Sequence, residues 1–554
     1  MLSLFNFTRL SLLALVGCTL IAAEEGTVAV QLSGSLPLRS APSLFGPADL
    51  SLYEATALLR QALAAPEQEV FLDLSGGFSP NLAAAEELVT IIRAERGAPG
   101  AKKITALVDM LDDRGLIVAA ACDDVIVSEA GMVSAMGLSL GTVYMKEALA
   151  KVGVTVHAVA SGEHKTAHET FTANGPSPAA AADLKRLLNG LDATCVALMA
   201  RPGLDVTAAR ARAPQPGALA VELKLADRTA EIGDVLAALP ENTRWLEHGH
   251  HAPDLSSLPG MLAFWRQLME GSDEPRRPKV VAVVELEGEI VDGGDSRPGE
   301  VIAGDDTAEM FDDLAKDERV VALVVRINSP GGSATASDRI HHALRRCAKA
   351  KPVVALFDGV CASGGYYIGC AAHEIQVHRS TITGSIGVFA IVPDVTGTMD
   401  WLGVRRFSVT TGPRADLEDL TAPFTAERQH ALEQAIHAID VRFQELVATT
   451  RNLPIESMPG LAGGRVYTGE EAVGNKLADG YGTLLTAVKA ARARAGIAQP
   501  LPIERHPKDK GLLERLGMGK AQTLALPGSV RVTRWLAALH RPTPTVLAWC
   551  NIAP

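Results

Sequence analysis

Short runs rich in β-branched side chains alternate with helical periodicities along most of this chain. Val321 to Ile327, Val353 to Phe357 and Ile375 to Val377 read as buried strands. Ser337 to Ala348 and Thr425 to Thr449 repeat their apolar positions at the spacing of a helix face. Alternation of this kind predicts stacked βαβ units with parallel strands, an α/β fold.

The pattern occurs twice. Val28-Ala29-Val30 opens a run ending in Leu32-x-Gly34, and 254 residues later Val281-Ala282-Val283 opens one ending in Leu286-x-Gly288. Val70 to Gly77 matches Val324 to Gly332 in character, with the closing glycines 255 apart. Ala106-Leu107-Val108-Asp109 matches Ala355-Leu356-Phe357-Asp358 at an offset of 249, after extra residues around Arg96 to Gly100. Gly137 and Gly387, and likewise Gly162 and Gly412, lie 250 apart, and Lys224 to Asp227 matches Lys476 to Asp479 at 252. A period this long is a duplicated domain and not a solenoid. It divides the chain into an N-terminal segment (1–23), a first repeat (24–237), a linker (238–278), a second repeat (279–499) and a tail (500–554) of no recognisable chemistry. The linker holds His248, His250 and His251. Without acidic or cysteine companions these read as a solvated connector and not as a metal site.

Composition then narrows the function. At 554 residues and 47% hydrophobic, the chain is long enough for two to four globular domains, and disorder is excluded. With 52 basic against 64 acidic residues it offers no basic surface for nucleic acid. Seven widely spaced cysteines without a CxxC encode neither a zinc site nor a disulfide framework, so no metal or cofactor is expected. Residues 1–23 carry one basic residue, Arg9, and an apolar run from Leu10 to Ala23 that stops at Glu24. The run is short for a spanning helix and reads as an export signal. Leu15-Val16-Gly17-Cys18 resembles a bacterial lipobox, which makes Cys18 a lipidation candidate; a plainly cleaved signal and an uncleaved anchor are the alternatives. The expected location is the bacterial cell envelope, facing the periplasm, with the membrane contacted through the N-terminus.

Two segments carry candidate chemistry. Asn328-Ser329-Pro330-Gly331-Gly332-Ser333 follows a buried strand and precedes a helical pattern, so its glycines sit at a turn where backbone N–H groups can approach a ligand. That is an oxyanion hole or only a turn needing positive φ. Some thirty residues on, Cys361-Ala362-Ser363-Gly364-Gly365-Tyr366-Tyr367 places a serine between a strand and an apolar helix. Ser363 is then an exposed nucleophile, and Gly364 N–H joins Gly331 and Gly332 as candidate donors to an oxyanion. Cys361 stands where the Gly-x-Ser-x-Gly elbow of α/β-hydrolases has a glycine, so another fold is implied.

These signals together resemble the Clp/crotonase superfamily, and the longer match resembles the signal peptide peptidase A family of serine proteases, peptidase family S49. The resemblance runs through Asn328 to Ser333, Ala362 to Tyr366 and Ser380-Thr381-Ile382-Thr383-Gly384-Ser385-Ile386-Gly387. It implies tandem duplicated Clp/crotonase-like βαβ domains and a Ser/Lys dyad. In the long form of that family the base is a lysine in the first repeat, in a segment like Gly162-Glu163-His164-Lys165-Thr166-Ala167. Lys165 fits, whereas His168-Glu169-Thr170-Phe171 after it match only loosely. The resemblance also implies that Ser385 orients the lysine, that the substrates are peptides, and that the chain forms a homo-oligomer.

The duplication supports the same pairing independently. At offsets of 249 and 250, Arg114 stands in the place of Ser363 and Ala415 in the place of Lys165. Each copy has lost what the other keeps, which one composite site explains. For a lysine to act as base near neutral pH its pKa must fall from about 10.4 to about 7, a bias of roughly 4.6 kcal/mol that burial between the repeats can supply. His164, His168, His341, His342 and His373 are competing bases. Thr383-Gly384-Ser385-Ile386 holds no histidine where Clp peptidases carry theirs, which disfavours a Ser-His-Asp triad. The expected function is a serine endopeptidase that degrades released signal peptides or other small apolar peptides at the membrane. A catalytically silent peptide-binding scaffold and an acyl-CoA enzyme of the crotonase kind are the alternatives.

Overall fold

A computed structural model describes residues 24–39, 50–247, 278–297, 299–412 and 414–507. The export segment with Cys18, the histidine cluster at 248–251 and the chain beyond residue 507 lie outside the described residues.

In the first half, β1 (Glu24–Gln31), β2 (Glu67–Asp73), β3 (Lys103–Asp112) and β4 (Asp124–Ser134) run parallel to one another. They are followed by β5 (Thr155–Ala160), which stands apart from that sheet, and by the short β6 (Gln215–Pro216), β7 (Arg228–Ala230) and β8 (Arg244–Leu246). The order across the sheet is β6-β4-β3-β2-β1-β8, with β7 beside β4.

The second half repeats it. Its strands are β9 (Val280–Glu287), β10 (Glu289–Val291), β11 (Val301–Ala303), β12 (Val320–Ser329), β13 (Val353–Ala362), β14 (Glu374–Val377), β15 (Ile382–Gly384), β16 (Phe389–Asp394), β17 (Val466–Thr468), β18 (Gly480–Tyr481) and β19 (Ile503–His506). The order is β17-β15-β13-β12-β9-β19, with β14 between β13 and β18. The work of β4 is divided here between β14 and β15. The duplication reaches single bonds: Asp227 accepts the Val125 N–H at 2.8 Å, and Asp479 accepts the Ile375 N–H at 2.7 Å.

β9, β12 and β13 are apolar on both faces because helices cover both faces of the sheet, which is why their sequence reads as unbroken runs. The helices start where the sequence supplies caps. Ser333 accepts the Ala336 N–H ahead of Ala334–Ala350, Thr425 caps Ala426–Thr450, and Ser177 with a following proline opens Pro178–Met199.

Two boundaries need correction. β8 lies inside the stretch expected to be linker and adds to the first sheet beside β1, so the first repeat extends to Leu246. β19 lies inside the expected tail and adds beside β9, so the second extends to His506. Both are short edge strands, too brief to show a periodicity of their own.

The halves are joined by buried charge. Glu87, on the first-half helix Leu82–Arg96, accepts from Arg326 on β12 at 2.8 Å, and Arg326 also donates to Asp358 at 2.5 Å. Glu86 beside it accepts the N–H groups of Arg379 and Ser380 at 2.8 and 3.0 Å. β5 completes the junction by pairing antiparallel with β16.

Candidate active site

Ser363 follows β13 directly, at φ +52° and ψ −117°, a backbone conformation rare for a residue with a side chain. Its hydroxyl makes no cap bond to the helix Gly364–Gly369 that it starts, which leaves Oγ available for other partners. The surrounding glycines are required by close approach. A Cβ on Gly331 (φ +106°) would lie 2.8 Å from Gly364 N and from Ser363 Cβ, and a Cβ on Gly364 would meet Ser337 Oγ.

Lys165 arrives from the first half. Beyond β5 the chain turns at Gly162 and lies against Gly463-Gly464, where His164 N–H donates to Gly463 O at 3.1 Å. A Cβ on Gly464 would meet Lys165 Cα, so only glycine leaves room for this backbone. The Lys165 side chain is buried, as are Ser363 and Ser385. Lys165 Nζ lies 3.1 Å from Ser363 Oγ, 2.8 Å from Ser385 Oγ and 2.9 Å from Ser385 O. Ser385 has φ +51° and is held by its N–H on Arg465 O at 2.7 Å.

The three expected oxyanion glycines differ in what they can offer. Gly331 N–H donates to Ser329 Oγ at 3.2 Å and is taken. Ile290 bonds the Gly331 carbonyl and the Ser333 N–H, the arrangement of a parallel bridge, so Gly332 N–H between them points away from Ile290. Gly332, Gly364, Ser363 and Lys165 all line one cavity of about 640 Å³. Its apolar wall is formed by Tyr367, Val388, Phe389, Ile439 and Phe443. At its rim Tyr367 Oη donates to Asp338 at 2.7 Å, and Arg442 pairs with the same carboxylate at 2.8 Å.

The competing histidines are engaged elsewhere. His341 is held on Tyr367 O at 2.8 Å, and burial pushes its pKa down to about 4. His168 bonds Thr172, His373 accepts the Val353 N–H, His164 lies between Asp183 and Arg465, and His342 meets Arg442.

The twin of this site in the first half corrects one alignment. A Cβ on Gly365 would meet Ser329 O at 2.9 Å and Cys361 Sγ at 3.5 Å; a Cβ on Gly115 would meet Phe78 O at 3.2 Å and a methyl of Leu111 at 2.8 Å. Each glycine thus packs on the preceding loop and on the residue four before it, so Gly115 matches Gly365. Asp113, not Arg114, occupies the place of Ser363. An offset counted along the chain is one short here because β13 carries extra residues between Phe357 and Cys361, whereas the irregularity of the β3–β4 pair lies on β4. Asp113 accepts the N–H groups of Met136 and Gly137 at 2.8 and 3.1 Å, with its pKa raised by burial, and Arg114 pairs with Asp112. Ala415 does match Lys165: Lys165 N–H meets Gly162 O at 3.4 Å, and Ala415 N–H meets Gly412 O at 3.3 Å.

Gly463, Gly464, Glu86 and Glu87 shape the junction and were not among the residues singled out from the sequence. The adjacent glycines ahead of Arg465-Val466-Tyr467 were a visible signal. The two glutamates look like any solvated helix pair.

The family profile described as Peptidase family S49 matches residues 99–246 and 345–498. The chain is 32% identical over 394 residues to "Protease 4" of Salmonella typhi, spanning 67% of this chain and 60% of that protein. It is 29% identical over 457 residues to "Protease 4" of Haemophilus influenzae, spanning 80% of this chain and 73% of that one. "Serine protease SPPA, chloroplastic" of Arabidopsis thaliana is 32% identical over 220 residues, 39% of this chain and 32% of its own length. Among solved structures, "ClpP1 from Listeria monocytogenes" gives a TM-score of 0.23 at 16% identity over 36% of this chain and 89% of that one. The fold stands on the repeated strand order and the twofold family match, without help from that last similarity.

Proposed function

Because the chain belongs to peptidase family S49, we propose that it is a serine endopeptidase whose one active site is built from both of its repeats. Ser363 Oγ attacks a peptide carbonyl while Lys165 Nζ takes its proton, and the tetrahedral oxyanion is received by the N–H groups of Gly332 and Gly364. Lys165 then returns the proton to the leaving amine, and water hydrolyses the resulting acyl-enzyme with the same lysine as base. Ser385 fixes the amine through its hydroxyl and carbonyl. Burial of Lys165 removes the water that would solvate an ammonium, the condition under which a neutral amine base is favoured.

The observation that carries this reading is the contact of Lys165 Nζ with Ser363 Oγ at 3.1 Å, made across the junction by two residues 198 positions apart. The apolar cavity wall supports small apolar peptides, released signal peptides among them, as substrates. The lipobox-like Leu15 to Cys18 supports attachment to the membrane of the bacterial envelope on its periplasmic side.

Digestion of a mixed peptide pool tests it, with cleavage products mapped by mass spectrometry. Wild-type protein should cut internal bonds beside apolar side chains, and Ser363→Ala should leave the pool intact. A pool untouched by folded wild-type protein would favour the silent scaffold.

A further inference from the structure

Ser161 lies four residues ahead of Lys165, and Val388 lies three residues beyond Ser385, so a contact between them fixes the amine against the group that orients it. The two are neighbours, one step past Ala160 and Phe389, the last pair of the β5–β16 ladder. Ser161 N–H donates to Val388 O at 2.8 Å, and Val388 N–H donates to Ser161 Oγ at 2.7 Å. The same hydroxyl donates to Asp440 Oδ1 at 2.8 Å. The fit is close: a Cβ on Gly387 would lie 3.1 Å from Ser161 Oγ and 2.9 Å from Gly464 N. Gly464 N–H donates to Ile386 O at 2.8 Å and continues the seam toward Lys165.

Asp440 is out of keeping with its surroundings. It is buried on the helix Ala426–Thr450 along with Ala431, Ile436, Phe443 and Val447. Its two oxygens are held by neutral donors, Ser161 Oγ and, at 2.7 Å, Gln444 Nε2. Burying a carboxylate on neutral donors costs free energy that an apolar or amide side chain there would not, and the helix has apolar anchors without it. What Asp440 holds is the loop of the base. On one side of the Ser161–Val388 contact lies the active-site cavity, lined by Lys165, Gly387 and Val388. On the other lies a second cavity of about 390 Å³, lined by Ser161, Gly162, Gly463 and Asp440, with Glu433 and His437 from the same helix. The contact forms the partition between that second cavity and the amine.

We propose that Ser161 and Asp440 are positioning residues for the proton transfer. Asp440 orients the Ser161 hydroxyl, and Ser161 clamps Val388 to the Lys165 loop. The clamp places Nζ on Ser363 Oγ and keeps solvent from reaching it through the second cavity. This role rests on the dyad reading. Asp440 serves in it as an acceptor of fixed direction and not as a counter-charge to the amine. A displacement of about 1 Å is enough to cost on the order of 10²-fold in rate. An amine that gains water also has its pKa moved back up toward the ordinary lysine value.

Steady-state kinetics of the full chain against pH, on a cleavable peptide, test it. Ser161→Ala and Asp440→Ala should each lower kcat by about 10- to 100-fold with KM changed less than about threefold, and should move the midpoint of the pH–rate rise upward by about half a unit or more. The double variant should fall within about threefold of the slower single one, because the two residues act as one chain of bonds. Asp440→Asn keeps an oxygen for Ser161 and should bring kcat to within about threefold of wild type, with the midpoint unmoved. Wild-type kcat in both alanine variants overturns the proposal. So does a lost rate with an unmoved midpoint, which marks support of the fold alone. A midpoint that falls in Asp440→Asn overturns it too, by making the carboxylate a charge partner of Lys165. Hydrogen exchange read by mass spectrometry follows the clamp apart from the chemistry: in Ser161→Ala, peptides containing His164 and Val388 should exchange at least about tenfold faster, and unchanged protection in both contradicts the clamp. If Lys165→Ala turns over as wild type does, the dyad reading falls and this role with it, whereas loss of turnover in Lys165→Ala beside wild-type kcat in both alanine variants of the clamp overturns the clamp alone.

Discussion

Three side chains meet at one amine, and their substitutions should separate by role. On the proposed dyad, Ser363→Ala and Lys165→Ala each remove a group that would touch the reacting atoms, and each should lower kcat by at least about 10³-fold with folding intact. Ser385→Ala leaves the Ser385 carbonyl in place on Nζ, so a loss of about 10- to 100-fold is expected, within the range of one general-base interaction. Steady-state kinetics on a cleavable peptide read all three. Because only the neutral amine can take the proton, the rate should rise with pH through one group and stay high in alkaline solution for as long as the protein remains folded. A decline above neutral pH in folded protein would point to a different base. Ser363 was legible because strand, serine and paired glycines announce themselves in order. Lys165 was legible only through the repeat and the resemblance, since nothing near it in sequence marks a base. Asp113 was missed by one residue because an offset counted along the chain does not register a bulge.

Among the elements, the helix Leu82–Arg96 has the largest hidden role. Glu87 is buried against Arg326 and also accepts the Leu484 N–H at 3.1 Å. Removing it in Glu87→Ala leaves Arg326 with Asp358 as its remaining carboxylate and the buried Leu484 N–H without its acceptor, and should cost about 1–3 kcal/mol in urea unfolding. Nothing in Ala85-Glu86-Glu87-Leu88 tells such a pair from a surface one, because the partners come from the other half of the chain. Gly464→Ala should impair catalysis through the lysine: the added methyl collides with Lys165 Cα and displaces it from Ser363, lowering kcat without unfolding the sheet. The helix Ala334–Ala350 packs His341 under Tyr367, and its depressed pKa makes stability pH-dependent. The unfolded chain binds this proton below about 6.5 and the folded chain only below about 4, so stability is full above about 6.5 and declines as pH falls between them. Urea midpoints measured against pH should show a shallower fall in His341→Gln than in wild type. The main strands and long helices were readable because their burial on both faces leaves unbroken apolar runs. The edge strands β8 and β19, three and four residues long, carry no such pattern.

At the scale of the whole molecule, duplication followed by complementary loss accounts for the arrangement. The first half supplies Lys165 and holds Asp113 where a nucleophile would be; the second supplies Ser363 and holds Ala415 where a base would be. The period near 250 made the two halves visible in sequence, but not how they meet, because the pairing of β5 with β16 is a contact between elements more than 220 positions apart. On the proposed reading each chain completes one site from its own two halves. Fluorophosphonate labelling followed by peptide mapping tests it most directly, applied to wild type, to Lys165→Ala, and to Ser363→Ala and Lys165→Ala chains mixed under conditions that permit subunit exchange. One label per wild-type chain, on Ser363, is expected, with only slow labelling of Lys165→Ala, alone and in the mixture alike. Labelling at another residue, wild-type labelling rates in Lys165→Ala, or recovery of fast labelling on mixing would contradict it.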